Sequence, residues 1–344
     1  MKVLCIGDPH FRVDNIPEVE EFVQKLIPLI ESSDPDFIVV LGDVLHTHER
    51  LHTIPLNKAY NFINLLRQKK KTFVLVGNHD YIQNQQYLTE NHWMNGMKEW
   101  DNVTIVDKVI STFDNKFVFC PYVPPGRFEE ALNSGNSLWK QKAVCIFAHQ
   151  EFFGCKMGAI ISTEGDKWDE SNPFVVSGHI HSKQKPQPNI YYTGSAMQHA
   201  FGESEQNIIA ILTFSEDDSI HIEEVDLGLK RKKIVYVDMN SVETFSLPKD
   251  RDDDIKLTLK GQYEDFKAFK KTEKYKELTK TGVKVVFKTD RKEEALKDEF
   301  LQQQKEAENV NFEELLKTIT FRKNDKELIR LYELLVNNNE VLIL

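Results

Sequence analysis

Five short apolar runs in the first half of the chain each stop where a histidine- or carboxylate-bearing motif starts, and this coincidence restricts the possible folds sharply. The runs are Val3–Ile6, Phe37–Leu41, Thr72–Val76, Ala143–Phe147 and Pro173–Val176. Continuous apolar stretches of this length read as strands buried on both faces, as in parallel sheets covered by helices. The motifs that follow are Asp8-Pro9-His10, Gly42-Asp43-Val44-Leu45-His46, Gly77-Asn78-His79-Asp80, Ala148-His149 and Gly178-His179-Ile180-His181. They are therefore expected just past the carboxyl ends of strands, where open α/β sheets place their sites. Glycines at 7, 42, 77 and 178 let the chain turn sharply there.

The segments between the runs fit an α/β fold. Asn15 reads as a helix cap with Pro17 in the first turn, and Val19, Phe22, Val23, Leu26 and Ile30 fall on one helical face. This predicts a βαβ unit. A second helix is predicted over about Asn57–Gln68, before the Thr72 strand.

Mixed oxygen and nitrogen ligands suit manganese, iron or zinc, and a set larger than one ion needs implies two ions. Two cations roughly 3.5 to 4 Å apart can share a carboxylate and clamp a phosphoryl oxygen during in-line attack by water. Phosphate esters are the natural substrate for such a site. The ordered set resembles the calcineurin-like metallophosphoesterase family, whose pattern is DxH, GDxx(H/D), GNH(D/E), H and GHxH. The resemblance implies a two-sheet α/β sandwich. It also implies Asp8, His10, Asp43 and His181 around one ion, and Asp43, Asn78, His149 and His179 around the other, with Asp43 bridging.

Three further features resemble one branch of the family, the SbcD-type nucleases that act in double-strand-break repair as the nuclease subunit of MRN-type complexes. His46 stands three residues after Asp43; Tyr192-Thr193-Gly194-Ser195 precedes Phe201-Gly202-Glu203; and Pro121-Tyr122-Val123-Pro124 matches a PYV segment. This resemblance implies a manganese-dependent DNA nuclease, with magnesium, iron or zinc as alternative metals, having 3'-5' exonuclease and single-strand endonuclease activity. In it His79 protonates the leaving oxygen, Asp80 orients His79, and His46 positions the DNA strand, mattering more to exonuclease than to endonuclease activity. Thr47–Leu51 departs from the substrate-contacting segment common in that branch, and His149–Pro173 resembles its shorter viral and phage members. The alternative is a stand-alone phosphodiesterase or phosphatase on nucleotides or other phosphoesters, for which the metal motifs would be identical. A noncatalytic scaffold fits poorly with a complete ligand set.

Single histidines outside the motifs carry little. His92 and His221 read as surface or satisfied core residues, and His48 and His52, in the loop after the second motif, as solvated loop positions with substrate contact as the alternative.

The composition shifts at Leu247–Asp254, a proline and a charge cluster. The expected division is a nuclease domain over 1–246, a small α+β capping domain over 247–290, and a helical tail over 291–344. Within the cap, Ile255–Leu259 and Val283–Phe287 alternate as strands and Tyr263–Leu278 has helical character. By resemblance the cap contacts DNA. Phe312, Leu315, Leu316 and Ile319 form one apolar stripe in the tail, and Leu328, Leu331, Leu334 and Leu335 another. By resemblance these helices bind the coiled coil of an SMC-like ABC ATPase. A homodimer is a further expectation from the family, with Leu51 and Ile54–Leu56 as candidate apolar loop contacts.

The formal charge of −10 argues against indiscriminate DNA binding, because phosphate contacts need local Lys and Arg. Basic stretches occur at Lys69–Lys71, Lys230–Lys233 and Lys267–Lys280. Cysteines 5, 120, 145 and 155 lack zinc-type spacing and are expected to be reduced. No apolar stretch approaches the roughly 18 residues of a membrane span, and the chain enters its first strand at once. A soluble, intracellular protein of the cytoplasm or nucleus is expected.

Overall fold

A computed structural model describes residues 1–48, 50–247, 253–289, 320–322, 327–330 and 332. Each of the five apolar runs is a strand: Lys2–Ile6, Phe37–Val40, Lys71–Leu75, Cys145–Ala148 and Phe174–Ser177. They divide between two six-stranded sheets.

In the first sheet Lys2–Ile6, Phe37–Val40, Lys71–Leu75 and Val103–Val106 run parallel in that order. Ile209–Phe214 pairs antiparallel with Lys2–Ile6, and Ile220–Val225 forms the edge. In the second, Ile190–Tyr192, Phe174–Ser177, Cys145–Ala148 and Phe117–Phe119 are parallel, with antiparallel edges at Gln184–Gln187 and Ile110–Thr112.

The alternation of side chains across each strand makes four layers. Val3, Cys5, Phe37, Val39 and Phe73 of one sheet pack with Phe117, Phe119, Cys145, Phe147 and Val176 of the other. On the outer face of the first sheet, Leu4, Ile6, Ile38 and Val40 meet Phe22 and Leu26 of helix Ile16–Ser33 and Phe62, Ile63 and Leu66 of helix Thr53–Lys69. On the outer face of the second, Val118, Ile146, Val175 and Ile190 meet Phe128, Ala131, Leu132 and Trp139. Both faces of each sheet are thus apolar, which is why these strands read as unbroken hydrophobic runs. All four cysteines are buried free thiols.

Two local expectations are corrected. Asn15 sits at the helix N-cap, but its side chain makes no cap bond there. It accepts from the Arg12 backbone N–H at 2.9 Å and donates to the His10 carbonyl at 3.0 Å, closing the turn that carries His10. The second helix begins at Thr53, so Ile54–Leu56 are its first turn rather than loop residues. Pro55 fits there because early helical N–H groups have no intrahelical acceptor.

The chain divides into two compact units. One comprises Met1–Ile234 with the described part of Pro248–Lys256; the other comprises Val235–Leu247 with the described part of Leu257–Leu344. Strands Lys232–Asp238, Asp254–Gly261 and Lys284–Thr289 form a three-stranded sheet. The single helix expected before its last strand is two, Tyr263–Phe269 and Glu273–Lys280, and Thr272 caps the second by accepting from the Tyr275 N–H at 3.2 Å. Residues 320–322, 327–330 and 332 are helical. Phe312, Leu315, Leu316, Ile319, Leu331, Leu334 and Leu335 lie outside the described residues, as does the expected linker from Arg291 to about Glu308. Among the described residues no helix is long and apolar enough to cross a membrane.

Candidate metal centre

The loops after the five strands converge on one cluster, and their backbones are distorted to do so. Asp8, His10, Asp43 and His179 all have positive φ, at 37°, 44°, 50° and 77°. Such conformations cost about 1–3 kcal/mol each in non-glycine residues and persist where the surroundings over-determine them. Glycine is required beside them: a Cβ on Gly77 would collide with the Asp43 carboxylate and backbone, and one on Gly42, at φ 101°, with the His149 ring.

Three overlapping groups result among the described residues: one of three imidazoles, His10, His46 and His79, and two that contain carboxylates. Ligand-type atoms of Asp8, His10 and Asp43 lie within 4.8 Å of one another, and so do those of Asp43, His149 and His179. His181 joins the first of this pair through its Nε2, 3.0 Å from His10 Nε2. Asn78 joins the second, its Oδ1 2.9 Å from both His149 Nε2 and His179 Nδ1. Asp43 Oδ2 lies 3.5 Å from His10 Nε2 and 3.3 Å from His149 Nε2, so this carboxylate stands between the groups. All seven residues expected as ligands are thus brought together.

Bonds behind the cluster set the imidazole tautomers. A carbonyl only accepts, so His149 Nδ1, 2.6 Å from the Leu41 carbonyl, carries hydrogen and leaves Nε2 facing Asn78 and Asp43. His181 Nδ1 faces Glu203 Oε1 at 3.3 Å, leaving Nε2 toward His10. Carbonyl–histidine and carboxylate–histidine pairs of this kind orient metal-binding imidazoles. Glu203 Oε2 also accepts from the His199 and Ala200 N–H groups, each at 2.9 Å. His199 Nε2 bonds the Asp8 carbonyl at 2.8 Å, and its ring lies edge-on to His10.

The electrostatics fit bound cations. Burial and the neighbouring imidazoles His199, His181 and His79 hold His10 well below the ordinary histidine range, and burial with the charge on His149 takes His179 down to about 3. Both are neutral and keep a lone pair. Burial alone would lower His149, but Asp43 and Asp8 raise it to about 9. On the protein's own charges, a proton there does what a metal would do, neutralising two buried carboxylates. Burial, added to by Asp43 and opposed by His149, moves Asp8 up to about 6. Its Oδ2 is buried with no hydrogen-bond partner, as suits an oxygen reserved for a cation.

The other expected site residues divide. His79 lies edge-on to His10 at 4.9 Å between ring centroids and nearly parallel to His46 at 5.4 Å. Its Nδ1 is 2.6 Å from the His46 main-chain carbonyl, and its backbone N–H bonds Asp43 Oδ1 at 2.8 Å. The expectation that Asp80 orients the His79 ring is corrected, because the His46 carbonyl holds that nitrogen. Asp80 instead accepts from the Gly77, Val44 and Leu45 N–H groups and Trp93 Nε1, tying the loop of Asp43 to that of Asn78. His46 Nδ1 lies 3.4 Å from His10 Nδ1.

Sequence reasoning missed His199 and Glu203 and favoured solvent for His48. The His48 ring stacks on His79 at 4.6 Å rather than in solvent, and its Nδ1 is buried without a partner. Glu203 stands in the Phe201-Gly202-Glu203 stretch singled out above, which was its only signal; His199 had none. His92 is a satisfied core residue, bonded to Asp107 at 3.3 Å and accepting from the Met94 N–H.

Two stacked mixed sheets with one His/Asp cluster past their strand ends define a metal-dependent phosphoesterase. Residues 1–183 match the family model of the calcineurin-like phosphoesterases, and the chain belongs to that family. It is 50% identical over 276 residues to protein 244L of Invertebrate iridescent virus 6, named only as a candidate phosphoesterase, covering 78% of this chain and 97% of that one. It is also 50% identical over 293 residues to 078R of Invertebrate iridescent virus 3, named in the same way, covering 84% of each. Among solved structures it is similar to Yfce, a phosphoesterase from E. coli, at 15% identity and a TM-score of 0.33, over 66% of this chain and 100% of that one.

Proposed function

We propose that the chain is a DNA phosphodiesterase of the SbcD type, a manganese-dependent 3'-5' exonuclease and single-strand endonuclease that processes double-strand breaks and recombination intermediates. Asp8, His10, Asp43 and His181 would hold one ion, and Asp43, Asn78, His149 and His179 the other. When bound, the ions supply charge neutralisation at the phosphate and acidification of water.

The observation that carries the nuclease reading is the placement of His46. Its ring lies beside both His79 and His10, so the histidine of the GDxxH motif stands at the site and not out on the loop. Burial and nearby His79 lower its pKa, keeping it a neutral donor to a phosphate oxygen. With Nδ1–H of His79 donating to the His46 carbonyl, Nε2 is the nitrogen left toward the substrate, and in the imidazolium form its N–H would pass a proton to the departing 3'- or 5'-oxygen, leaving the neutral ring. An SMC-like ATPase bound through the C-terminal helices, and a homodimer, belong to the same proposal.

The test is incubation with linear duplex DNA, single-stranded DNA and a small aryl phosphodiester in manganese. We expect DNA cleavage that His79→Ala reduces about 10²- to 10⁴-fold, the usual contribution of an acid–base group, while calorimetry still finds two bound metals. Turnover of the small diester alone would overturn the DNA assignment and favour a stand-alone phosphodiesterase.

A further inference from the structure

Beside the candidate metal centre, a two-strand hairpin and the turn before it project four large apolar side chains into solvent. Lys156–Met157 pairs with Ile160–Ile161. Ile160 is 67% exposed, Ile161 58%, Phe153 48% and Met157 38%. Two-residue strands are not stable alone in water, and this pair is held by its root. Gln184 Oε1 accepts from the Lys156 N–H at 2.7 Å and Gln184 Nε2 donates to the Lys156 carbonyl at 2.8 Å. The Gly154 N–H bonds the Ser162 carbonyl, and the Ser162 N–H the Cys155 carbonyl, each at 2.9 Å. The hairpin is therefore anchored at its root, with its apolar tip outward.

Its inner side borders an open cavity of about 390 Å³. Lys156, Met157 and Gly158 form one wall, and His179 and His181 form another. Whatever fills this cavity thus lies against two of the residues assigned to the ions. For a phosphodiesterase, the group in that place is the substrate portion esterified to the reacting phosphate.

We propose that the cavity and hairpin form a nucleobase subsite, holding the base next to the scissile phosphate of a single DNA strand. This rests on the DNA reading above and specifies how the strand is held. Charge is the first reason. At a formal −10 the chain repels a polyanion overall, so contacts other than phosphate neutralisation have to add to the affinity. Stacking of bases on apolar and aromatic side chains is such a contact and tolerates any sequence. Composition of the surface is the second. Phe153, in the turn before the hairpin and outside the cavity lining, offers a ring with Lys167 Nζ 5.7 Å from its centroid, and Lys156, which lines the cavity, has no carboxylate partner among the described residues. An apolar surface with these cations at its edge suits a base and its phosphate, and the Glu203 carboxylate that also lines the cavity is tied to His181 and to the His199 and Ala200 N–H groups. The third is size, since the cavity lies at the small end of the roughly 300–1,000 Å³ range of ligand pockets and fits a nucleoside-sized group.

The test pairs the variant Met157→Ser/Ile160→Ser with oligonucleotides carrying an abasic residue beside the cleaved phosphate. None of these side chains belongs to the metal centre, so a dialkyl phosphodiester, which has no ring to stack in the cavity, should be hydrolysed at the wild-type rate. On intact single-stranded DNA we expect the variant to lose about 10- to 100-fold in kcat/KM, mainly through KM. The abasic substrate should cost the wild type a similar factor and cost the variant little more. An unchanged kcat/KM on DNA overturns the proposal, and so does equal loss on both substrates, which would make the hairpin a structural support. A variant defect that is the same with and without the base would indicate a protein-docking or backbone contact and also overturn it. Wild-type protein that turns over the diester but no DNA defeats the nuclease reading, a result distinct from each of these.

Discussion

Asp80→Asn is the sharpest probe of how the two metal-binding loops are held. Asp80 Oδ1 accepts from the Leu45 N–H at 3.3 Å and Trp93 Nε1 at 2.8 Å; Oδ2 accepts from the Gly77 N–H at 3.1 Å and the Val44 N–H at 3.3 Å. Asparagine keeps one oxygen, so whichever way the amide turns, two buried donors face an NH2 group. An unsatisfied buried donor costs about 1–3 kcal/mol, and the long bonds belong at the lower end. Removing the charge relieves repulsion from Asp43, which together with burial moves the Asp80 carboxyl up to about 6. The net expectation is a loss of about 2–3 kcal/mol. Urea unfolding of metal-free protein is the appropriate assay, because a bound metal would stabilise both proteins by mass action. Tryptophan fluorescence reports on the correct unit, since all four tryptophans, at 93, 100, 139 and 168, lie within Met1–Ile234. Metal titration should show weakened binding, because the bonds to Gly77, Val44 and Leu45 hold the neighbours of Asn78 and Asp43. A variant within about 0.5 kcal/mol of wild type, with unchanged metal affinity, would refute this account of Asp80.

Three further outcomes follow from contacts around the cluster. Glu203→Ala removes the acceptor for His181 Nδ1 and for two backbone N–H groups, and should weaken one metal about 10- to 100-fold by calorimetry while the other binds as before. Gly77→Ala places a methyl group against the Asp43 carboxylate, so the expected result is loss of tight metal binding with the far-ultraviolet circular dichroism retained. Asp107 is buried against His92 and Lys98, whose hydrogen bonds outweigh the burial that would raise its carboxyl and hold it below the ordinary carboxylate range. Its stabilisation is present above the unfolded pKa and is lost as pH falls through the folded one. Asp107→Asn should therefore destabilise at neutral pH by about 1–3 kcal/mol, and denaturation midpoints of the two proteins should converge under acid.

Much of this protein was legible without coordinates. The apolar runs marked the five site-bearing strands, because a strand buried on both faces has to be apolar throughout, and the resemblance carried by the motifs at their ends implied seven ligands, all of which converge. Local chemistry was less reliable where a side chain had a choice of partners. Asn15 has a cap residue's character and position, yet its amide closes the turn of His10, and Asp80 follows His79 but bonds main-chain groups of two loops. Proximity along the chain does not decide hydrogen bonding when a distant strand brings better-placed donors. The tertiary structure alone decided the supports. Glu203 reaches His181 across 22 residues and His199 reaches the Asp8 carbonyl across 191, contacts created by the pairing of Ile209–Phe214 with Lys2–Ile6 and by the packing of one sheet on the other. Residue type and spacing determined what chemistry this chain can perform; the meeting of two sheets determined which side chains hold that chemistry in place.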